Sequence, residues 1–153
     1  MTHCDSSGGD YPGTIVARPE LGPADAALVT EAELAQERAR PLFSGFAVGA
    51  AVRTESGTEP YLGWNVEDPS LVRVLHAEQA AIYAAVHREN AAARVLDIAI
   101  WGTGDVPPCG ACRQTIVDSN PEARVRFPYR GGILITSAAD LLPLSFRITP
   151  SSP

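Results

Sequence analysis

Residues 74–90 read VLHAEQAAIYAAVHREN, and residues 106–120 read VPPCGACRQTIVDSN. The first stretch predicts an alanine-rich helix over 76–89 that opens on His76 and Glu78. A helix serving only as filler needs neither residue. The second stretch carries Cys109 and Cys112 in C-x-x-C spacing at the start of another predicted helix, 109–119. Two helices that each begin with metal-binding or acid–base residues set the frame for the rest of the chain.

Between them lies VLDIAIWG (95–102), a continuous apolar run bounded by turn residues, which fits a buried strand. Upstream, FAVGAAVRT (46–54) and PYLGWNVE (60–67) flank the glycine-containing ESGTE (55–59), the pattern of a β-hairpin. Downstream, RVRFP (124–128) and GILIT (132–136) read as short strands. SAADLLPL (137–144) reads as a last short helix stopped by Pro143. Before the hairpin, residues 23–40 can place Ala27, Leu28, Ala32, Leu34 and Ala35 on one apolar stripe, predicting an amphipathic helix that Pro41 ends. The order α, β, β, α, β, α, β, β, α implies crossover connections. It predicts an α/β fold with a parallel or mixed sheet and helices on both faces.

The chain has 153 residues, enough for one domain with a substantial core. Residues 1–23 are rich in Gly, Ser, Asp and Pro and are expected to form a flexible N-terminal tail. The domain is expected over 24–148, with a flexible C-terminal tail at 149–153. Eighteen acidic residues outnumber twelve basic ones, which argues against a nucleic-acid polymer as partner, because that partner requires basic surface. No apolar run approaches the roughly 20 residues needed to span a bilayer, and the N-terminus lacks the regions of a signal peptide. A cytoplasmic location and no membrane partner are therefore expected. Three cysteines, Cys4, Cys109 and Cys112, do not suggest a disulfide framework.

The cysteine pair alone admits three readings: two buried small residues, a redox pair, or a zinc site. A redox pair of the thioredoxin kind follows an early strand, and none precedes this pair near the N-terminus. Two thiolates at a helix start can converge on one ion, but a catalytic zinc needs a third protein ligand. His3 lies in the expected tail. His87 is about 16 Å along its helix from His76 and reads as a surface residue. His76 can face the start of the second helix. Zinc lowers the pKa of its water, and a non-ligating carboxylate nearby can take that proton and return it to a substrate. Glu78 is placed for that role.

His76-Ala77-Glu78 with Pro108-Cys109-Gly110-Ala111-Cys112 matches the H-x-E … P-C-x-x-C signature of zinc deaminases. From about Pro41 to Phe146 the chain resembles the cytidine deaminase family. FSGFAVGAAV is similar to its Y-S-x-F-x-V-G-A-A, GWNVE to its G-x-N-x-E, HAEQAAI and PCGACRQ to its zinc segments, and DLLPLSF to its L-L-P-x-x-F ending. The resemblance implies a three-layer α/β/α sandwich around a five-stranded mixed sheet. It implies one Zn2+ per subunit, held by His76, Cys109 and Cys112, with Glu78 as the catalytic proton shuttle. It also implies that Asn65 and Glu67 bond the ribose hydroxyls, that Phe46 packs beside the pyrimidine, and that Ala77 and Pro108 contact substrate. Phe146 would reach a neighbouring subunit's site, and Arg113 and Gln114 would support the thiolates. The expected assembly is a homotetramer, with a dimer as the alternative.

Two thiolates and a neutral histidine leave zinc a stronger Lewis acid than three thiolates would. Phe43 stands where the family has tyrosine, Trp64 is bulkier than its family counterpart, and residues 68–75 (DPSLVRVL) depart from the family pattern. These changes bear on substrate choice. The expected reaction is hydrolytic deamination of cytidine or deoxycytidine. The alternatives are a modified cytosine nucleoside of the blasticidin S type and a noncatalytic zinc-binding protein on the same fold.

Overall fold

VGAAVRT sets three small residues, Gly49, Ala50 and Ala51, between two valines, and nearly the whole of this strand is buried. The computed structural model describes residues 11–57, 59–70, 74–90 and 93–147. Strand β1 is Thr14–Val16, followed by a 3-10 turn at Arg18–Glu20 and helix α1, Pro23–Gln36. Strands β2 (Val48–Thr54) and β3 (Tyr61–Trp64) form the predicted hairpin. Helix α2 (Ala77–Glu89), strand β4 (Val95–Gly102), helix α3 (Gly110–Ser119), strands β5 (Arg124–Tyr129) and β6 (Gly132–Ser137), and helix α4 (Ala138–Leu141) complete the order.

The sheet order is β1-β6-β5-β4-β2-β3. Only β4 and β5 run parallel; the other neighbours are antiparallel. The sheet is mixed, as expected, but has six strands rather than five. The extra strand, β1, lies inside a stretch expected to be flexible. Thr14, Ile15 and Val16 pair with Ile135, Leu134 and Ile133, so the chain is drawn onto the sheet edge by residues more than a hundred positions away. Residues 1–10 and 148–153 lie outside the described residues.

Alternation along the strands separates two cores. Ala50, Val52, Ile98 and Ile100 face α2 and α3 and pack with Ala77, Ala81 and Ile116. Ala51 and Ala99 face the other way and pack with Leu28, Val29 and Ala32 of α1. Gly49 lies under α1: a Cβ there would come within 2.1 Å of the Ala32 carbonyl oxygen.

Helix α1 differs from expectation in two ways. Leu28, Val29, Ala32 and Ala35 are buried, while Leu34 is 48 % exposed. Ala27 and Leu34 are seven residues apart and share the solvent side, so the apolar stripe runs through Val29 instead. The helix also stops at Gln36, well before Pro41. Its last turn tightens as the Arg38 N–H bonds Ala35 and the Ala39 N–H bonds Gln36. The Arg40 backbone is then captured by Asn65 and Glu67, at 2.9 and 3.2 Å. No helix among the described residues is long and apolar enough to cross a membrane.

Candidate active site

Alanine dominates α2 because the helix lies very close to the sheet. Ala77, Ala81 and Ala85 are fully buried. Opposite them, Gly63 has no side chain; a Cβ there would fall 2.3 Å from the Ala77 carbonyl oxygen and 2.4 Å from the Ala81 nitrogen. The first turn of α2 is thereby pressed onto β3. His76 occupies its N-cap with extended backbone. A two-bond bridge between Val66 and Leu75 fixes the chain entering His76. Cys109 occupies the N-cap of α3, with Cys112 in the first turn. The two helices pack side by side with their N-termini together.

The His76 Nδ1 atom lies 3.5 Å from the Cys109 Sγ and 3.4 Å from the Cys112 Sγ. All three donor atoms fall within 4.8 Å of one another. A tetrahedral ion bonded to sulfur at about 2.3 Å and to nitrogen at about 2.0 Å sets those atoms roughly 3.5 Å apart. The cluster therefore fits a single zinc-sized ion. His3 and Cys4 lie outside the described residues, and His87 is exposed near the far end of α2.

The electrostatics point the same way. Burial pushes the Cys112 thiol well up from its ordinary value, and the neighbouring Glu78 and Cys109 push it further. Glu78 is 5 % exposed. Burial raises its carboxyl, opposed by a backbone N–H bond, a bond with Cys112 and the His76 charge. Burial thus disfavours the anionic forms of Cys112 and Glu78 in the absence of a cation, and a cation bound beside them would offset that cost.

Beside the cluster is a cavity of about 250 Å³. His76, Ala77, Glu78 and Cys109 line one side, and Ser44, Phe46, Val48, Asn65 and Glu67 line another. Val74, Val106 and Pro107 supply further apolar wall. Glu67 and Glu78 carry its formal negative charge; no lysine or arginine lines it among the described residues.

Asn65 and Glu67 are tightly used by the fold. The Asn65 Oδ1 accepts from the Val48 N–H at 2.9 Å, and its Nδ2 donates to the Phe46 carbonyl at 2.8 Å. The Glu67 Oε2 accepts from the Phe43 and Ser44 N–H groups at 2.8 and 3.0 Å, and Oε1 accepts from the Ser44 hydroxyl at 2.5 Å. The Ser44 hydroxyl bond and the two backbone bonds hold the Glu67 carboxyl below its ordinary value.

Of the residues selected from sequence, Phe46, Asn65, Glu67, His76, Ala77, Glu78 and Cys109 meet at the cavity, with Cys112 behind Cys109. Pro108 is buried and does not line it; the exposed Pro107 does. The Pro108 carbonyl instead accepts from the Arg113 Nε at 2.8 Å, while the Arg113 Nη1 donates to the Leu141 carbonyl at 3.2 Å. Gln114 exchanges two backbone bonds with Phe146 and also bonds Asp118. These bonds of Arg113 and Gln114 brace the start of α3 and the chain after α4, rather than reach the sulfurs. Phe146 is 71 % exposed and is not part of its own chain's cavity. Sequence reading missed Ser44, Val48, Val74, Val106 and Pro107. Ser44 and Val48 lie within FSGFAVGAAV and Val74 within the divergent segment 68–75, so these three left a signal at the level of the segment, while Val106 and Pro107 left none.

A sequence profile described as "Cytidine and deoxycytidylate deaminase zinc-binding region" matches residues 23–127. The chain belongs to the cytidine and deoxycytidylate deaminase family. It is 36% identical over 121 residues to a cytidine deaminase of Sporosarcina psychrophila, covering 78% of this chain and 88% of that one. A cytidine deaminase of Halalkalibacterium halodurans is 31% identical over 121 residues, 78% of this chain and 91% of that one. Among solved structures, a cytidine deaminase from Burkholderia pseudomallei superposes with a TM-score of 0.72 at 34% identity, covering 82% of this chain and all of that one. One from Mycobacterium tuberculosis gives 0.69 at 28% identity, covering 84% and 100%. The family member described here is therefore a hydrolytic deaminase on the family's mixed-sheet α/β fold.

Proposed function

We propose that the protein is a zinc-dependent deaminase of cytosine nucleosides, converting cytidine or deoxycytidine and water to uridine or deoxyuridine and ammonia. One observation carries the reading: three atoms able to bind a metal converge beside the buried Glu78, which lies outside that cluster, at a cavity of about 250 Å³. His76, Cys109 and Cys112 would hold the ion, which when bound supplies Lewis acidity and an acidified water.

The remaining chemistry falls to the chain's own residues. Glu78 is buried beside the three donor atoms, so a proton that its carboxylate takes up is kept from bulk water until it is handed on. Glu78 accepts a proton from water as the water oxygen bonds C4, and delivers it to ring N3. The C4–N bond then breaks, and the second water proton leaves with the amine as ammonia. Phe46, Val48, Val106 and Pro107 exclude bulk water and hold the flat ring. Glu67 has a free acceptor position left on Oε1, enough for one sugar hydroxyl. Its charge disfavours a phosphate at that end, which supports a nucleoside over a nucleotide.

Assembly completes the proposal. Leu42, Phe43, Leu144 and Phe146 are large apolar side chains left more than half exposed. A homotetramer that covers them and brings Phe146 to a neighbour's cavity accounts for that exposure.

A second reading keeps the chemistry and changes the nucleoside. Val74 comes from the segment that departs from the family pattern, and it lines the cavity. A panel of cytosine, cytidine, deoxycytidine and blasticidin S, ranked by kcat/KM, separates the two. Cytidine or deoxycytidine ranking first supports the proposal; no turnover of any of them by zinc-loaded protein rejects it.

A further inference from the structure

We propose that Ser44 is a positioning residue of this site: its hydroxyl couples the Glu67 carboxylate to the Phe46 backbone and so fixes the Phe46 wall against which the substrate ring binds. The proposal rests on the reading of the cavity as a cytosine-nucleoside site.

Residues 41–47 belong to no helix or strand, and Gly45 takes a left-handed φ of 69°. A segment of this kind needs outside anchors to present a side chain at a set position. Most of those anchors come from the chain just after β3, and one comes from α1, where the Gln36 Nε2 donates to the Ala47 carbonyl at 3.0 Å. Asn65 holds the Phe46 carbonyl and the Val48 N–H. Glu67 holds the N–H groups of Phe43 and Ser44. Among the described residues the Phe46 N–H has one acceptor, Ser44, whose Oγ accepts from it at 3.0 Å while donating to the Glu67 Oε1 at 2.5 Å. The serine hydroxyl is thus both donor and acceptor, and among the described residues no other bond ties Glu67 to Phe46.

Without the hydroxyl, the Phe46 N–H loses this acceptor and Glu67 keeps only its grip on residues 43 and 44. The Phe46 ring, 43 % exposed, then samples positions off the cavity wall. A ring stacked on an uncharged base binds ground state and transition state alike, so the loss falls on KM rather than kcat. Loss of one charge-assisted hydrogen bond corresponds to about tenfold. Ser44 is itself exposed, so both removal of its hydroxyl and addition of a methyl leave the core untouched.

The experiment compares wild type, Ser44→Ala and Ser44→Thr, all zinc-loaded, by steady-state kinetics on cytidine and by amide hydrogen exchange in solution NMR. Ser44→Ala is expected to raise KM about tenfold with kcat within about twofold, and to speed exchange at the Phe46 amide. Ser44→Thr restores both. Unchanged KM in Ser44→Ala, or equal loss in Ala and Thr variants, overturns the proposal. If wild type turns over no cytosine nucleoside, the functional reading fails and exchange decides the coupling. A Phe46 amide equally protected in wild type and Ser44→Ala then overturns it, and faster exchange rescued by threonine supports it.

Discussion

Gly63→Ala tests whether the closeness of α2 to the sheet is what assembles the site. The added Cβ would lie 2.3 Å from the Ala77 carbonyl oxygen and 2.4 Å from the Ala81 nitrogen, where ordinary contact begins at 3.4 Å. Both obstacles are backbone atoms and cannot rotate away, so the first turn of α2 must retreat by roughly 1 Å. Overpacking of this kind costs about 1–3 kcal/mol, and each kcal/mol lowers Tm by about 2–4 °C in a chain of this size. The larger effect is on the site, because the displaced turn carries His76 at its start and Glu78 in its first turn. A misplacement near 1 Å can cost about 100-fold in rate. Thermal melting, zinc content and kcat/KM on cytidine should therefore separate: a moderate drop in Tm, reduced metal retention and a disproportionate loss of activity. A variant with the wild-type Tm and kcat/KM would refute the claim that Gly63 sets the helix position.

Other consequences follow from the same geometry. Glu78→Gln should retain its zinc while kcat falls by about 10²–10⁴-fold, checked by metal analysis beside the cytidine assay; an active variant removes Glu78 from the proton path. In metal-free protein, burial raises the Glu78 carboxyl above its ordinary value of about 4.5, so the folded state binds that proton more tightly than the unfolded state. That contribution is complete below about pH 4.5 and is lost as pH rises through the folded-state value. After chelation, Glu78→Gln should melt above wild type at pH 8, and the gap should close towards pH 4; a constant gap contradicts this. Light scattering on the eluted protein should give four copies, and Phe146→Ala should raise KM for cytidine. A monomer with full activity contradicts the shared-site proposal.

Much of the site was legible because its residues sit at helix starts. His76, Glu78, Cys109 and Cys112 are local features whose spacing already places them, and the two helices announce themselves by period and composition. Less could be read where partners lie far apart in the chain. Strand β1 is three residues long within a Gly- and Pro-rich stretch, and it exists because β6 offers it an edge. Arg126 looks like a solvent-facing strand residue, yet it is fully buried, held by Asp25 at 2.7 Å and Asp97 at 2.5 Å. Nothing local in RVRFP signals two aspartates arriving from α1 and β4. The work done by Asn65 and Glu67 was hidden for the same reason: their hydrogen-bond partners lie 17 to 24 positions upstream. Arg113 and Gln114 follow the last cysteine in sequence, but the helix turns them towards Pro108, Leu141 and Phe146.

X-ray absorption at the zinc edge, on protein purified without chelator, examines the proposed metal centre most directly. The account predicts one zinc per chain with two sulfur neighbours at about 2.3 Å and two nitrogen or oxygen neighbours near 2.0 Å, one from His76 and one exchangeable. A centre without sulfur, a fourth ligand supplied by the protein, or a correctly folded protein that takes up no zinc would contradict it.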